Sequence, residues 1–189
     1  PSALRLKAVV LADIHASEPQ MPAARIADIV ARANALEPDV IFLLGDYAAA
    51  HRWQWRRIPA QEWAPPLGGL KAPLGVHAVL GNHDWWDDPV AQTKRQGPPL
   101  ARRELERAGI RVYENDAVRL TKDGQAFWLA GLGDQLAIRM LSPDKKVYFR
   151  GVDDLSGTLA KITDEAPVIL MAHEPDIFPR IPERVSLTL

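Results

Sequence analysis

The sequence predicts a mixed α/β domain, and three observations carry that prediction. Short apolar runs alternate with segments whose apolar residues recur at helical spacing. The run Val40-Ile41-Phe42-Leu43-Leu44 is apolar without a break, as expected of a strand covered on both faces. Several of the runs end abruptly in Asp, His or Asn. In such sheets ligands gather beyond the carboxyl ends of strands, so those endings are where chemistry is expected.

Each element follows from local pattern. Leu4 and Leu6 alternate and lead into the block Ala8 to Ala12, which predicts a buried strand ending at Asp13. Pro22 suits a first helical turn, and Ile26, Ile29, Val30, Ala33 and Leu36 keep helical spacing until Pro38 breaks it. Val40 to Leu44 is the second strand. Residues 48–73 hold three tryptophans, three arginines and several prolines and glycines with no sustained period. They read as a cap loop or insertion with a short helix, inside a single domain spanning 1–189. Residues 75–80 are the third strand, and 101–109 a short charged helix stopped by Gly109. From Ile110 to Asp134 come several short strands, with Asp123-Gly124 as a hairpin turn. Leu155, Leu159 and Ile162 mark another helix, residues 167–172 another buried strand, and Arg184 to Leu189 the beginning of one more. No internal repeat or low-complexity segment is visible.

Composition narrows the function. With 189 residues, 47% apolar and 25% charged, the chain has the composition of a globular domain with a sizeable core. Its formal net charge of −1 disfavours a protein that coats duplex nucleic acid. There is no cysteine, so disulfides and thiolate metal sites are excluded, and any metal ligand must be His, Asp, Glu or Asn. The first residue is Pro1 rather than methionine, which leaves room for a lost N-terminal export or anchoring segment. Cytoplasmic, membrane-associated and exported locations all stay open.

Four strand endings carry the chemistry. Asp13-Ile14-His15 follows the first strand; on extended backbone, side chains two apart share a face and can meet one target. Gly45-Asp46 follows the second, with a carboxylate able to bridge two cations. Gly81-Asn82-His83-Asp84 follows the third. Here Asn82 offers a neutral oxygen, and His83 can act as an acid if Asp84 orients it. His173 follows the later strand. Taken singly, three of the four have plain structural readings as turn, cap or strand-end residues. Together they predict a dense cluster of carboxylates and imidazoles on one rim. Such a cluster would be strongly destabilising without compensating charge, and two divalent cations would neutralise it.

These residues resemble the calcineurin-like metallophosphoesterase superfamily, whose motifs run D-x-H, G-D, G-N-H-D/E, H and G-H-x-H. The stretches "ADIH", "LLGDY", "VLGNHD" and "LMAHEPD" match the first four in order. With "GIRVYENDAV" and "LAGLGD", the chain looks most similar to the bacterial YkuE/YaeI-like phosphodiesterases. The resemblance implies a four-layer αββα sandwich and two divalent metal ions of undetermined identity, Mn, Fe or Zn. It places Asp13 and His15 on the first metal, Asp46 between the two, and Asn82 with His173 on the second. It makes His83, paired with Asp84, the proton donor or phosphate contact. The implied reaction is hydrolysis of a phosphate ester by a metal-bridging hydroxide. The final G-H-x-H is absent, so the domain is expected to be truncated at its C-terminus and its metal affinity and activity reduced.

Substrate contacts are expected around residues 51–57, where Arg52 and Arg56 can meet phosphate and Trp53 and Trp55 a base or acyl chain. Trp85 or Trp86 is expected to line the groove, while His77 sits inside a strand and is expected to be structural. Asp87, Asp88, Asp153 and Asp154 read as loop and helix-start residues. These hints favour a phosphoester small molecule or a lipid-linked substrate, with peripheral membrane association and no nucleic acid. A Ser/Thr protein phosphatase would usually carry Glu where this chain has Asp84. A metal-free, non-catalytic binding module is the alternative from another class, and metal content separates it from the enzyme.

Overall fold

The computed structural model describes residues 4–49 and 54–189. In chain order the strands are β1 (Ala8–Leu11), β2 (Ser17–Glu18), β3 (Val40–Leu43), β4 (Arg56–Arg57), β5 (Val76–Ala78) and β6 (Arg111–Val112). They continue as β7 (Asp116–Lys122), β8 (Gln125–Gly131), β9 (Ile138–Leu141), β10 (Val147–Arg150), β11 (Val168–Met171) and β12 (Leu187–Thr188). The helices are α1 (Ala23–Ala35), α2 (Ala60–Leu67), α3 (Asn82–Trp86), α4 (Pro89–Lys94), α5 (Leu100–Arg107) and α6 (Leu155–Leu159), with a 3-10 turn over Pro175–Arg180. Among the described residues no helix is long and apolar enough to cross a membrane.

Two four-stranded sheets organise the chain. The first is all parallel in the order β1-β3-β5-β6. The second runs β12-β11-β8-β7, with only the β7–β8 pair antiparallel. The unbroken apolar strands explain the stacking, because alternate residues serve different layers. Ile41, Leu43 and Ala78 pack under Ile26 and Val30 of α1, Trp63 and Leu67 of α2, and Leu105 of α5. Val40, Phe42 and Val79 meet Phe127, Leu129, Ile169 and Met171 between the sheets. Trp128, Ala130, Val168 and Leu170 face outward against Leu155 of α6 and Ile177 of the 3-10 turn. Three apolar interfaces make four layers, helix–sheet–sheet–helix, as expected. A fully buried side chain such as Phe42 or Phe127 contributes about 1.5–3 kcal/mol by leaving water.

Several local expectations hold for the reasons given. Asp123 and Gly124 both have positive φ, 49° and 76°, the requirement of a tight I′ hairpin between β7 and β8. Gly109 ends the α5 region at φ 84°, and Asp88 and Asp154 cap α4 and α6 through side-chain bonds to backbone N–H groups. His77 is buried within β5, its ring nitrogens 2.9 Å from the Tyr113 hydroxyl and 2.8 Å from the Leu74 carbonyl oxygen.

Others need correction. β1 lies at a sheet edge and is partly exposed, Val10 included, rather than buried. Within 48–73 the expected short helix is α2, which buries Trp63 completely, its ring stacked on Tyr47 at 5.3 Å, and β4 adds a pairing with β2 that the pattern did not show. The sequence pattern also missed α3, α4 and the β9–β10 hairpin, all too short for a periodicity to show.

Candidate metal centre

The strand ends β1, β3, β5 and β11 converge on one rim, but by a route the sequence pattern did not foresee. Asp13 and His15 are not on extended backbone. Asp13, His15 and Asp46 all adopt left-handed φ of 53°, 46° and 56°. For residues with a Cβ this costs on the order of 1 kcal/mol each and persists only where surroundings enforce it. Here the two turns hold one another. The N–H groups of Asp13, His15 and Ala16 donate to the carbonyls of Gly45, Asp46 and Tyr47 at 3.1, 2.9 and 2.8 Å. Despite the changed backbone, Asp13 Oδ1 and His15 Nε2 lie 3.5 Å apart.

Asp46 stands at the centre and is nearly buried. Its Oδ2 is 3.6 Å from His15 Nε2 and 3.8 Å from His83 Nε2, while its Oδ1 is 3.4 Å from His173 Nε2. Each carboxylate oxygen thus faces a different side of the site. Donor atoms of His15, Asp46 and His83 lie within 4.8 Å of one another, as do those of Asp13, Asp46 and His173. Two flanking imidazoles are already oriented for a cation: His15 Nδ1 is 3.1 Å from the Ala48 carbonyl and His173 Nδ1 is 2.8 Å from that of Leu44. A proton held on Nδ1 by a carbonyl leaves Nε2 as the lone-pair donor aimed at Asp46. Asn82 Oδ1 lies 3.0 Å from the His83 N–H, which also donates to Asp46 Oδ1 at 2.9 Å, so the amide sits on the same side.

The electrostatics favour positive charge here. Burial opposes the ionised Asp46, but the hydrogen bond from His173 and the charges of His173 and His83 outweigh it and lower its pKa. Burial pulls His173 down, yet the bond to Asp46 and its charge carry it up to about 10. A proton is thereby stabilised where a divalent cation would bind, and such a cation would displace it. Burial lowers His83, against the raising effect of Asp46, and its Nδ1 has no hydrogen-bond partner among the described residues.

Two glycines of the motifs serve this geometry directly. A Cβ on Gly45, at φ 98°, would fall within 3 Å of the Gly81 backbone and His173 Nδ1. One on Gly81 would strike Asp46 Oδ1 and the His173 ring. Only bare backbone lets the ends of β3, β5 and β11 approach this closely.

Asp84 has a different job from the expected one. Its carboxylate does not orient His83. It accepts the backbone N–H groups of Asp46, Tyr47 and Ala48 at 2.9, 2.9 and 3.0 Å, and that of Gly81 at 2.9 Å. Neighbours on a helix point about 100° apart, so Asp84 turns inward while His83 faces the site. Burial and then the charge of Asp46 raise its pKa to about 7, opposed by those donors; four N–H groups leave no acceptor for a carboxyl proton.

Trp85 is likewise not a groove residue: it is 1% exposed and packs in the helical layer. Trp86 is the aromatic at the site, its ring centroid 5.1 Å from that of His83. Trp55 is 86% exposed. Arg56, expected to contact phosphate, is held by Glu62 and Glu18 at 3.0 and 2.8 Å. Arg52, Trp53 and His51 lie outside the described residues.

Two carboxylates were missed. Asp134, Glu174 and His173 form a third group with donor atoms within 4.8 Å. Asp134 is buried, burial raises its pKa to about 8, and its Oδ2 has no hydrogen-bond partner among the described residues. Its signal was the ending of β8, a fifth strand end at "GLGD". A cavity of about 300 Å³ opens beside Asp13, His173 and Glu174. A larger one, about 620 Å³, lies at the other end of the first sheet, against Asp39, Gly75 and Val76.

The four-layer sandwich thus presents, at its strand ends, a carboxylate–imidazole cluster that could hold a metal ion. The profile of the calcineurin-like phosphoesterase family matches residues 6–184. The chain belongs to that family. A Caenorhabditis elegans protein classed among the metallophosphoesterases is 32% identical over 167 residues, 88% of this chain and 30% of that protein. A Bos taurus transmembrane protein with a metallophosphoesterase domain is 30% identical over 93% of this chain and 36% of its own. The Escherichia coli phosphodiesterase YaeI is 27% identical over 93% of this chain and 55% of its own. The animal proteins are thus more similar than YaeI, and the expected tie to the bacterial group gives way to membership at family level. The chain spans about a third of the length of these animal relatives.

Proposed function

We propose that this chain hydrolyses a phosphate ester, a diester in preference to a monoester, with two divalent cations as cofactors. The observation that carries the reading is Asp46, whose two oxygens face different imidazoles, Oδ2 that of His15 at 3.6 Å and Oδ1 that of His173 at 3.4 Å. The donors are oxygen and nitrogen only, which suits Mn, Fe or Zn. In this reading Asp13, His15, Asp46, Asn82 and His173 hold the cations, which would supply Lewis acidity toward phosphate and acidify a water.

The protein's own groups do the rest. The Asp84 carboxylate holds the Asp46 backbone, and the His83 backbone N–H donates to Asp46 Oδ1 at 2.9 Å, which orients the carboxylate itself. The Ala48 and Leu44 carbonyls keep His15 and His173 in the tautomer that presents Nε2. His83, whose Nε2 lies 3.8 Å from Asp46 Oδ2, is the group placed to protonate the departing alkoxide. The name of the E. coli relative, a phosphodiesterase, supports a diester.

The test is hydrolysis of bis(p-nitrophenyl) phosphate and of p-nitrophenyl phosphate by the chain with added Mn²⁺, Zn²⁺ or Fe²⁺. Metal-dependent turnover that is lost in Asp46→Asn is expected. A folded, metal-saturated chain that cleaves neither ester overturns the reading, as does turnover unchanged in Asp46→Asn.

A further inference from the structure

We propose that one face of the β9–β10 hairpin binds the aliphatic chain of an amphiphilic phosphoester, whose phosphate lies beside His83. This rests on the phosphohydrolase reading and names the substrate class for the same site.

The hairpin belongs to neither large sheet. A two-stranded ribbon alone is marginal in water, so something must hold it. On one face Ile138 is buried in the core and Met140 packs beside it. On the other face Phe149 pairs with Arg139 and Val147 with Leu141, two rungs about 7 Å apart. The first rung clasps Trp86. The Phe149 ring stacks on it at 5.2 Å, and the Arg139 guanidinium lies 3.9 Å from its ring centre. The contact with His83 therefore continues through Trp86 to Phe149 and on to the second rung.

That second rung is Leu141 and Val147, 69% and 58% exposed. Between the hairpin and α4 runs a groove of about 420 Å³ lined by Trp86, Gln92, Thr93, Arg139, Met140, Leu141 and Val147. Its size is within the range of small-molecule sites. The chemistry at its two ends differs. Near His83 there is a guanidinium without a carboxylate partner among the described residues; farther out the exposed side chains are aliphatic. A flat base would need an open ring face, and the Trp86 ring is already in contact with Arg139, Phe149 and His83. An alkyl chain needs only a lengthwise apolar surface.

Charge points the same way. On this face the cation is Arg139, at the His83 end; Arg150 shares the Ile138 face, and Lys145 and Lys146 lie in the turn beyond Leu141 and Val147. An anionic head with an apolar tail matches both halves of this face.

The experiment is calorimetric titration of the Mn²⁺-saturated chain with ethyl phosphate and with n-decyl phosphate below its micellar concentration. The decyl ester is expected to bind at least tenfold tighter, and L141S/V147S, whose fold is checked by circular dichroism, to lose that preference. Equal affinity for the two esters overturns this inference alone, as does a preference kept in the double variant. Binding of neither ester, with no hydrolysis of p-nitrophenyl methyl phosphate, overturns the phosphohydrolase reading and this one with it. Self-association or vesicle binding that L141S/V147S abolishes, without chain-length preference, assigns the face to a second copy or to a membrane surface and overturns the substrate role.

Discussion

The carboxylate of Asp84 accepts the backbone N–H of Asp46 at 2.9 Å, so one buried acid holds another in place without touching its side chain. Because Asp84 also binds Tyr47, Ala48 and Gly81, it ties the ending of β3 to that of β5. Asp84→Asn keeps the shape but offers one acceptor oxygen and turns an NH2 group toward N–H donors. The variant is expected to lose about 2–4 kcal/mol of stability in urea denaturation. Metal-dependent activity should fall with it. A variant as stable as wild type would contradict this role.

His83 should behave differently. It is a partly buried imidazole whose removal leaves the turns intact. His83→Gln is expected to lower turnover about 100- to 10,000-fold while leaving the metal content and urea midpoint near wild type. Steady-state kinetics beside metal analysis checks this. A large loss of bound metal would make His83 a ligand rather than the proton donor.

The adjacent tryptophans separate packing from exposure. Trp85→Ala removes a buried ring from the helical layer and is expected to cost about 3–5 kcal/mol. Trp55→Ala, at an exposed position, should change stability by less than about 0.5 kcal/mol. Paired urea melts of the two variants test the assignment, and equal losses would refute it.

Acid sensitivity has an identifiable contributor on the second sheet. Asp164 accepts the Trp128 indole N–H at 2.8 Å, the Ala166 N–H at 3.1 Å and the Arg119 side chain at 2.8 Å, which hold its pKa at about 2. A depressed carboxyl contributes stability that is present above its unfolded value, near 3.8, and is lost as pH falls through 2. The stability gap between wild type and Asp164→Asn should be constant above about pH 5 and shrink from pH 4 toward 2. A gap independent of pH across that range would contradict it.

The strand endings were legible because each chemical group follows directly on an apolar run, and a run covered on both faces can be read without tertiary knowledge. The four layers also follow from Val40 to Leu44, whose alternate residues serve two interfaces. What the sequence concealed was direction. Asp84 beside His83, and Trp85 beside Trp86, look interchangeable in one dimension, yet adjacent helical residues point about 100° apart. Asp134 was hidden because β8 is mostly antiparallel-paired with β7 and its ending resembles a glycine loop. The left-handed turn at Asp13 and His15 was concealed because only hydrogen bonds from the facing turn enforce it. Among the described residues the aromatic surface at the site comes from Trp86 and from β9–β10, a hairpin without alternation or turn glycine.

The central claim is that Asp46 joins two cation sites. Equilibrium dialysis against Mn²⁺, with elemental analysis of a sample whose intact mass is verified, counts bound ions per chain in wild type and in Asp46→Asn. The account predicts two ions at saturation in the wild type and a loss of both sites, or a collapse of their affinity, in the variant. A folded wild-type chain that binds no metal, or an Asp46→Asn chain that binds two as tightly, would contradict it.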